Sequence, residues 1–295
     1  MRDISHSNSV FKDYYRLAKP GIIYGNAITF AGGFFFASRG NIDYTLLWAG
    51  LLGIALIIAS SCVLNNYIDR DIDTMMERTK GRALASGTIP LQHAIVFATC
   101  LMLFGILFLY FFTNIPTLAI ALFGAFFYVV VYSLWTKRQS VYGTLVGSIS
   151  GAAPPVIGYV AVTNNFDLSA LLLFVILALW QMPHFYAIAI YRRNDYKEAK
   201  VPVLPLIKGI RTTKIHMLCY IIFFAIATVL LAVFGYANHF YLLIMSTLSL
   251  AWLLFSIKGF RFTSEADDNM WAKRMFFFSI LVITIFSLTI AVGYV

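Results

Sequence analysis

The 295-residue chain is 60% hydrophobic and 12% charged, with a mean hydropathy of +0.80. Soluble domains carry about 25% charged residues, so the composition excludes that class and indicates a polytopic membrane protein. The formal net charge of +9 would suit a nucleic-acid partner, but lysine and arginine lie in short segments between apolar runs, as topology signals do. We therefore expect no nucleic-acid partner.

Nine apolar runs are long enough, at about 20 residues each, to cross a bilayer as helices. The predicted fold class is all-α, a bundle of nine transmembrane helices forming one domain over residues 1–295. The expected spans lie at about 21–38, 44–64, 91–112, 115–135, 141–163, 168–190, 215–235, 237–257 and 275–294.

Lysine and arginine are unequally divided between the two ends of this bundle. Of the 22, only Arg39 lies on the side opposite the N-terminus. By the positive-inside rule, the N-terminus is cytoplasmic and the C-terminus lies outside. Residues 1–20 are then a cytoplasmic segment, since they lack the apolar core of a signal peptide. Residues 65–90 and 191–214 are cytoplasmic loops that carry acidic motifs.

The first acidic motif is the run NNYIDRDID, which begins at Asn65. On a helix Asn65, Asp69 and Asp73 are one turn apart and form an oxygen-rich stripe, whereas Asp71 points to the other side. Like charges at this spacing repel, so the stripe needs a cation. Oxygen ligands without Cys or His suit Mg²⁺, which is usually held by one or two carboxylates plus substrate phosphate oxygens. The alternative is an acidic cap in solvent, balanced by nearby arginines.

A second acidic group, Asp195 with Glu198, leaves the membrane on the same side and lies beside Arg192. Two acidic patches with interspersed cations match the needs of a Mg²⁺–diphosphate, whose oxygens are bridged by metal and neutralised by fixed positive charges. Lys137 and Arg138 add a third source of cations. Each basic group alone is only a topology anchor, so the prediction of a diphosphate site depends on their combination.

The run NNYIDRDID resembles the NxxxDxxxD motif of the UbiA superfamily of intramembrane prenyltransferases. More narrowly, five blocks between about residues 19 and 209 resemble the protohaem IX farnesyltransferase (haem O synthase) branch of that superfamily. These blocks are KPGIIYGNAITFAGGFFFAS, ERTKGRALASG, YSLWTKRQSVYGTLVGSISGAAPPVIGY, WQMPHFYAIAI and DYKEAKVPVLP. The last three predicted helices are generic in sequence.

The resemblance implies transfer of a farnesyl group from farnesyl diphosphate to the vinyl group of haem b. Water adds in the same reaction, and the products are haem O and diphosphate. Mg²⁺ would be bound with the diphosphate, and haem b would be a substrate and not a permanent cofactor. The expected location is a bacterial inner membrane with the active site facing the cytoplasm. A terminal oxidase or a haem A synthase is the partner that would take the product.

The resemblance also implies roles for individual residues. Catalytic roles fall to Asp69, Asp73, Asp195 and Lys137. The implied metal ligands are Asn65, Asp69, Asp73 and Asp195. The implied diphosphate contacts are Asn65, Arg78, Lys80, Arg82, Lys137, Arg138 and Arg192. Where many superfamily members have two aspartates in the second motif, this chain has Asp195 followed by Glu198.

His184 lies about two turns from the cytoplasmic end of a predicted span, one turn after Gln181. The resemblance implies that both side chains contact haem. From the residues alone, three roles of the histidine stay open: ligation of haem iron, handling of a proton, and a hydrogen bond between helices.

Two other functions compete with this prediction. A related intramembrane prenyltransferase would modify a quinone precursor or a chlorophyll-like ring. A transporter would use the acidic residues as an ion path, but its acids would lie near the middle of the membrane, whereas these lie at one end of the bundle.

Overall fold

The protein is described here by a computed structural model, which covers residues 4–294, with side chains from residue 10 onward. Helices account for most of this range, and its β-structure is one isolated bridge between Ala237 and Tyr294. The α-helices are α1 Ile4–Leu17, α2 Pro20–Ser38, α3 Tyr44–Met75, α4 Leu91–Phe112, α5 Ile115–Phe126, α6 Lys137–Gln139, α7 Gly143–Gly151, α8 Ala153–Thr163, α9 Leu168–Tyr191, α10 Arg193–Glu198, α11 Leu204–Ile207, α12 Ile210–Val233, α13 His239–Lys258 and α14 Glu265–Val292. A π-helix, Phe127–Thr136, joins α5 to α6, and a 3₁₀ turn, Gly259–Arg261, follows α13.

Nine helical segments within residues 4–294 are long and apolar enough to cross a membrane, which confirms the predicted all-α fold. Six of them are single α-helices, and three are composite. The composite spans are Ile115–Gln139, which includes the π-helix, Gly143–Thr163, which joins α7 to α8, and His239–Arg261. The chain is an integral, multi-pass membrane protein.

Helices α3 and α14 extend furthest beyond the spans that the apolar pattern predicted. Helix α3 continues to Met75 and α14 begins at Glu265, so both project beyond their apolar runs. In α3 the extension is held by ion pairs, because the buried Asp69 and Asp73 contact Lys137 and Arg82. Hydropathy locates the membrane boundary and not the helix end, so this extension was outside its reach.

Side-chain caps explain where five of the helices begin. In each, an Asp, Asn or Ser side chain accepts a hydrogen bond from a backbone N–H three residues on, which satisfies one of the unpaired donors of the first turn. The capping residues of α3, α5, α9, α13 and α14 are Asp43, Asn114, Asp167, Asn238 and Ser264.

The fifth span breaks at Ala152, one residue before α8. Pro154 and Pro155 lack the backbone donors that would continue the α7 hydrogen-bond ladder, and proline is tolerated at a helix start. Glycines bring this broken span against α2: a Cβ on Gly158 would lie 2.1 Å from the Phe30 carbonyl oxygen. The break is therefore held at a fixed place beside α2.

Helix α9 packs against α7, α8, α12 and α14. Helix α3 packs against α4, and α2 packs against both α8 and α14. The loops after α3, α6 and α9 meet at one end of the bundle, as the contacts of Arg138 with Asp71 and of Arg78 with Asp195 show. The acidic motifs and most of their basic neighbours thus share one end.

Candidate active site

A cavity of about 820 Å³ lies inside the bundle. Its walls come from α2, α3, the π-helix, α7, α8, α9 and α14, and most of its lining side chains are apolar. Polar groups line it mainly where the loops meet, and they include Arg78, Lys137, Arg192, Tyr132 and Tyr196. An apolar cavity with a few convergent polar groups is typical of a small-molecule site.

Asp69 is the most enclosed acid of the site, with 1% of its surface exposed. Its Oδ2 accepts hydrogen bonds from Lys137 Nζ and from Asn65 Nδ2, the latter at 2.8 Å. Its Oδ1 has no hydrogen-bond partner in the described part of the chain and lies 3.8 Å from Arg138 Nη2. A buried charge is tolerated only when it is paired, and Lys137 supplies the paired charge for Asp69.

Asp73 is held by the loop that follows α3. Arg82 Nη1 donates to both carboxylate oxygens, at 2.9 and 2.7 Å, and Thr79 Oγ1 donates to the Asp73 backbone carbonyl at 3.0 Å. Charge-assisted hydrogen bonds of this kind are about twice as strong as neutral ones. The loop folds back over the end of α3 and encloses Asp73.

Asn65 is buried, and three side chains orient its amide group. Its Nδ2 donates to Asp69 and, at 2.9 Å, to Ser133 Oγ, while its Oδ1 accepts from Lys19 Nζ. Lys19, directly before α2, has a left-handed backbone conformation with φ 54°. Burial lowers the pKa of Lys19 to about 8. Lys19 was not among the predicted site residues. Its position directly before an apolar span was the only sequence feature that could have suggested a role in the site.

The π-helix was also absent from the sequence prediction. Its wider turn shows in Ser133 Oγ, which donates to the Tyr128 carbonyl five residues earlier at 2.8 Å. Tyr128 and Tyr132 line the cavity with their rings stacked at 5.9 Å, and Lys137 Nζ lies 5.9 Å from the Tyr132 ring centroid. π-Helical turns frequently occur at functional sites, but no residue pattern in this stretch distinguishes one from an α-helix.

Asp195, the acid of the second motif, is less completely buried than Asp69 and Asp73. Arg192 Nη1 lies 3.9 Å and Arg78 Nε lies 4.0 Å from Asp195 Oδ2, and this oxygen is buried without a hydrogen-bond partner among the described residues. Glu198, the next acid of the motif, is exposed. The structure therefore brings Arg78 from the first loop and Asp195 from the second to one place, and it leaves Glu198 outside.

Two of the basic residues predicted to contact diphosphate, Arg138 and Lys80, pair with exposed acids outside the buried stripe. Arg138 donates to both oxygens of Asp71 at 2.6 Å, and Asp71 is exposed, as the helical spacing predicted. Lys80 is exposed and pairs with Glu77 at 2.7 Å. Arg138 stays close to the site through its 3.8 Å approach to Asp69, whereas Lys80 lies on the surface.

The acidic side chains fit a magnesium ion that is completed by a ligand. Among the described residues, Asp69 Oδ1 and Asp195 Oδ2 are buried acceptors that receive no hydrogen bond. No group of three or more His, Cys, Asp or Glu side chains converges into a closed metal site in the described part of the chain. Mg²⁺ is usually bound through one or two carboxylates plus substrate phosphate oxygens, which matches this incomplete set.

Deeper in the cavity, Gln181 and His184 lie on α9. Gln181 Nε2 donates to the carbonyls of Ser148 and Leu177, both at 3.0 Å, so its amide joins α9 to α7. His184 Nδ1 lies 2.7 Å from Ser279 Oγ of α14. Both side chains line the cavity, and the sequence offered no signal for Ser279.

Some known proteins are similar to this chain in sequence, and some solved structures are similar to it in fold. "Protoheme IX farnesyltransferase" from Yersinia pseudotuberculosis serotype O:1b (strain IP 31758) is 50% identical over 285 residues, which is 97% of this chain and 96% of the relative. The protein of the same name from Enterobacter sp. (strain 638) has the same identity and coverage.

Among solved structures, a digeranylgeranylglyceryl phosphate synthase superposes with a TM-score of 0.77 at 19% identity, covering 96% of this chain and 98% of its own. A UbiA homologue from Archaeoglobus fulgidus bound to DMAPP and Mg²⁺ superposes with a TM-score of 0.68 at 16% identity, covering 92% and 99%. The sequence profile of the UbiA prenyltransferase family matches residues 26–281. This chain therefore belongs to the UbiA prenyltransferase family.

Proposed function

We propose that this protein transfers a farnesyl group from farnesyl diphosphate to a vinyl group of haem b, with addition of water, and releases haem O and diphosphate. The observation that carries the proposal is a buried acidic stripe, paired with lysine and arginine, where charged loops meet an apolar cavity. The proteins named protoheme IX farnesyltransferase, 50% identical over nearly the whole chain, support haem as the acceptor.

The charged end of the cavity is suited to the diphosphate. Asp69, Asp73 and Asp195 supply carboxylate oxygens for Mg²⁺, with Asn65 orienting Asp69. When bound, Mg²⁺ would neutralise the charge that develops on the diphosphate as it leaves. The basic residues closest to these acids can contact phosphate oxygens directly: Arg78, Arg82, Lys137, Arg138 and Arg192. The exposed Lys80 is the weakest member of the proposed set.

The reaction begins when the allylic carbon–oxygen bond breaks and the bonding electrons leave with diphosphate. Fixed cations around Asp69 and Asp73 stabilise that leaving group without reorganising, because hydrogen bonds already hold them in place. The apolar walls keep water from the farnesyl cation. Tyr128 and Tyr132, stacked along the wall, present ring faces that attract a cation.

The vinyl group then supplies the electron pair for the new carbon–carbon bond. Its terminal carbon joins the farnesyl carbon, and positive charge moves to the carbon attached to the haem ring. Water adds there and loses one proton, which leaves a hydroxyethylfarnesyl side chain. The deeper cavity wall, which includes Gln181 and His184, is the proposed haem side of the site.

The proposal also includes a location and a product acceptor. Of the 22 lysine and arginine residues, 21 lie on the same side of the predicted membrane as the N-terminus. By the positive-inside rule, this distribution supports an active site that faces the cytoplasm of a bacterial inner membrane. All the acidic motifs lie on that side, in one domain that spans the chain. Haem O would pass to a terminal oxidase or a haem A synthase.

A turnover assay with the purified protein tests the proposal. Haem b, farnesyl diphosphate and Mg²⁺ should yield haem O, identified by mass spectrometry, and EDTA should stop the reaction. Geranyl diphosphate in place of farnesyl diphosphate tests the donor. Prenylation of a quinone precursor, with no modified haem under the same conditions, would reject haem as the acceptor and leave the family assignment intact.

A further inference from the structure

The amide group of Gln181 lies at the cavity wall with both of its hydrogen-bond donors already used. Gln181 is buried on α9 and lines the cavity. Its Nε2 donates to the Ser148 carbonyl of α7 and to the Leu177 carbonyl of α9, both at 3.0 Å. A carbonyl oxygen only accepts, so both carbonyls must face the NH₂ group, and this identifies the other end of the amide as oxygen. What remains is Oε1, which can only accept.

This amide oxygen occupies a space that a glycine leaves open. A Cβ at residue 151 would lie 2.0 Å from Gln181 Oε1, so any larger residue than Gly151 would displace the amide. Gly151 and the adjacent Ser150 also line the cavity. Among the described residues, no side chain or backbone N–H donates to Gln181 Oε1, and the Ser150 hydroxyl donates to the Gly147 carbonyl at 2.8 Å. Both oxygens therefore keep lone pairs beside the cavity.

Gln181 lies deeper in the bundle than the acidic stripe. A Cβ at Gly143 would lie 3.1 Å from Lys137 Cα, so the start of α7 is level with the lysine that pairs with Asp69. Gly151 is at the other end of α7, eight residues on, which is a rise of about 12 Å. In the proposed reaction, the diphosphate and the farnesyl carbon bonded to it lie between these two levels. The carbon that receives water lies beyond the new bond, on the side of Gln181.

The proposed reaction needs a water molecule in one particular orientation. After the carbon–carbon bond forms, the positive charge lies on the carbon attached to the haem ring. Water must turn an oxygen lone pair towards this carbon, so both of its O–H groups point away. Groups that only accept hydrogen bonds hold water in this way, whereas a donor would compete for the lone pair. A buried water also needs about two to four polar partners.

We propose that Gln181 Oε1, with Ser150 Oγ as a second acceptor, holds the water molecule that adds to the haem side chain. This inference rests on the proposed function, which supplies the cation. The water oxygen forms the new carbon–oxygen bond, and the diphosphate released in the same turnover takes up the proton that water loses. Without a held water, the cation instead loses a proton from the neighbouring CH₂ carbon. The product is then an alkene, which is lighter than haem O by one water molecule.

The ratio of these two products tests the inference. Purified protein is supplied with haem b, farnesyl diphosphate and Mg²⁺ in water labelled with heavy oxygen, and the haems are identified by mass spectrometry. Wild type should give labelled haem O. Gln181→Leu should raise the ratio of the dehydrated haem to haem O about tenfold, which is the effect of one lost hydrogen bond on one of two competing steps. This ratio does not depend on how much of the variant is folded.

Three further variants separate the acceptor oxygen from general changes in the cavity. Gly151→Ala displaces the same oxygen while Gln181 is retained, and it should raise the ratio in the same direction. Ser150→Ala should raise it to a smaller extent. Thr284→Val is the matched control, because Thr284 lines the cavity from α14 with a hydroxyl that donates to its own helix. Its ratio should equal that of wild type.

The inference is overturned if Gln181→Leu forms the two products in the wild-type ratio. A purely structural role of Gln181, which joins α9 to α7, would slow the conversion of haem b and leave this ratio unchanged. Failure of the proposed function gives a different result, since wild type would then leave haem b unmodified.

Discussion

The two acidic motifs at the end of the bundle differ in how completely the protein pairs them. Asp69 and Asp73 are buried on a long helix, and each accepts a charge-assisted hydrogen bond from Lys137 or Arg82. Asp195 lies on a short helix, 3.9 Å or more from its arginines, and one buried oxygen receives no hydrogen bond from residues 10–294. The fold therefore preorganises the first motif, and we propose that a bound ligand completes the second.

The largest expected effect is that of Asp69→Asn. It removes the charge that pairs with Lys137 and a proposed metal ligand, so turnover should fall about 1,000-fold. It also leaves Lys137 without its counter-ion, at a cost to the free energy of unfolding of about 3 kcal/mol. Haem O formation and thermal unfolding in detergent measure the two effects.

Asp71→Asn is the matched control, because Asp71 lies on the same helix but is exposed and pairs only with Arg138. Its turnover should stay within about twofold of wild type, as exposed ion pairs contribute little. Equal losses in the two variants would contradict the distinction between the buried stripe and the outer face of α3.

Asp195→Asn should lower turnover by roughly 100-fold with little change in thermal stability. The Asp195 carboxylate receives no hydrogen bond from its neighbouring arginines. Replacing it with an amide therefore does not leave a buried positive charge without its partner. The variant should also need more Mg²⁺ for half-maximal activity. Glu198→Gln, at an exposed position, should retain wild-type turnover, and a loss there equal to that of Asp195→Asn would place the exposed acid in the site.

Arg82→Lys should have an intermediate effect, a loss of activity of about tenfold. Lysine keeps the positive charge, but an ammonium group does not reproduce the guanidinium contacts with both oxygens of Asp73. The loop after α3 should open more often, and this is measurable as faster hydrogen exchange of residues 76–90. Unchanged exchange would show that Arg82 does not hold the loop.

Hydropathy and helical spacing were sufficient to predict the membrane spans and the buried face of the first acidic motif. Nine apolar runs predicted the spans that the structure contains, and the one-turn spacing separated Asp69 and Asp73 from the exposed Asp71. These features follow from local rules, since burial in lipid and position around a helix depend on residues close in sequence.

The features that were missed depend on contacts between distant segments. Lys19 reaches Asn65 across 46 positions of sequence, and His184 reaches Ser279 across 95. The π-helix that carries Ser133 towards Asn65 leaves no mark in its apolar sequence. Such contacts form only when the bundle assembles, so residue spacing could nominate acids and cations but could not show which of them pair.

The smallest expected effect belongs to Lys80, which was predicted to contact diphosphate but lies exposed beside Glu77. Lys80→Ala should change turnover by no more than about twofold, because exposed ion pairs contribute little and Lys80 does not line the cavity. Arg78→Ala, two residues earlier and part of the cavity wall, provides the contrast and should raise the KM for farnesyl diphosphate. A rise in KM for Lys80→Ala equal to that for Arg78→Ala would mean that the loop moves on substrate binding and brings Lys80 to the phosphates.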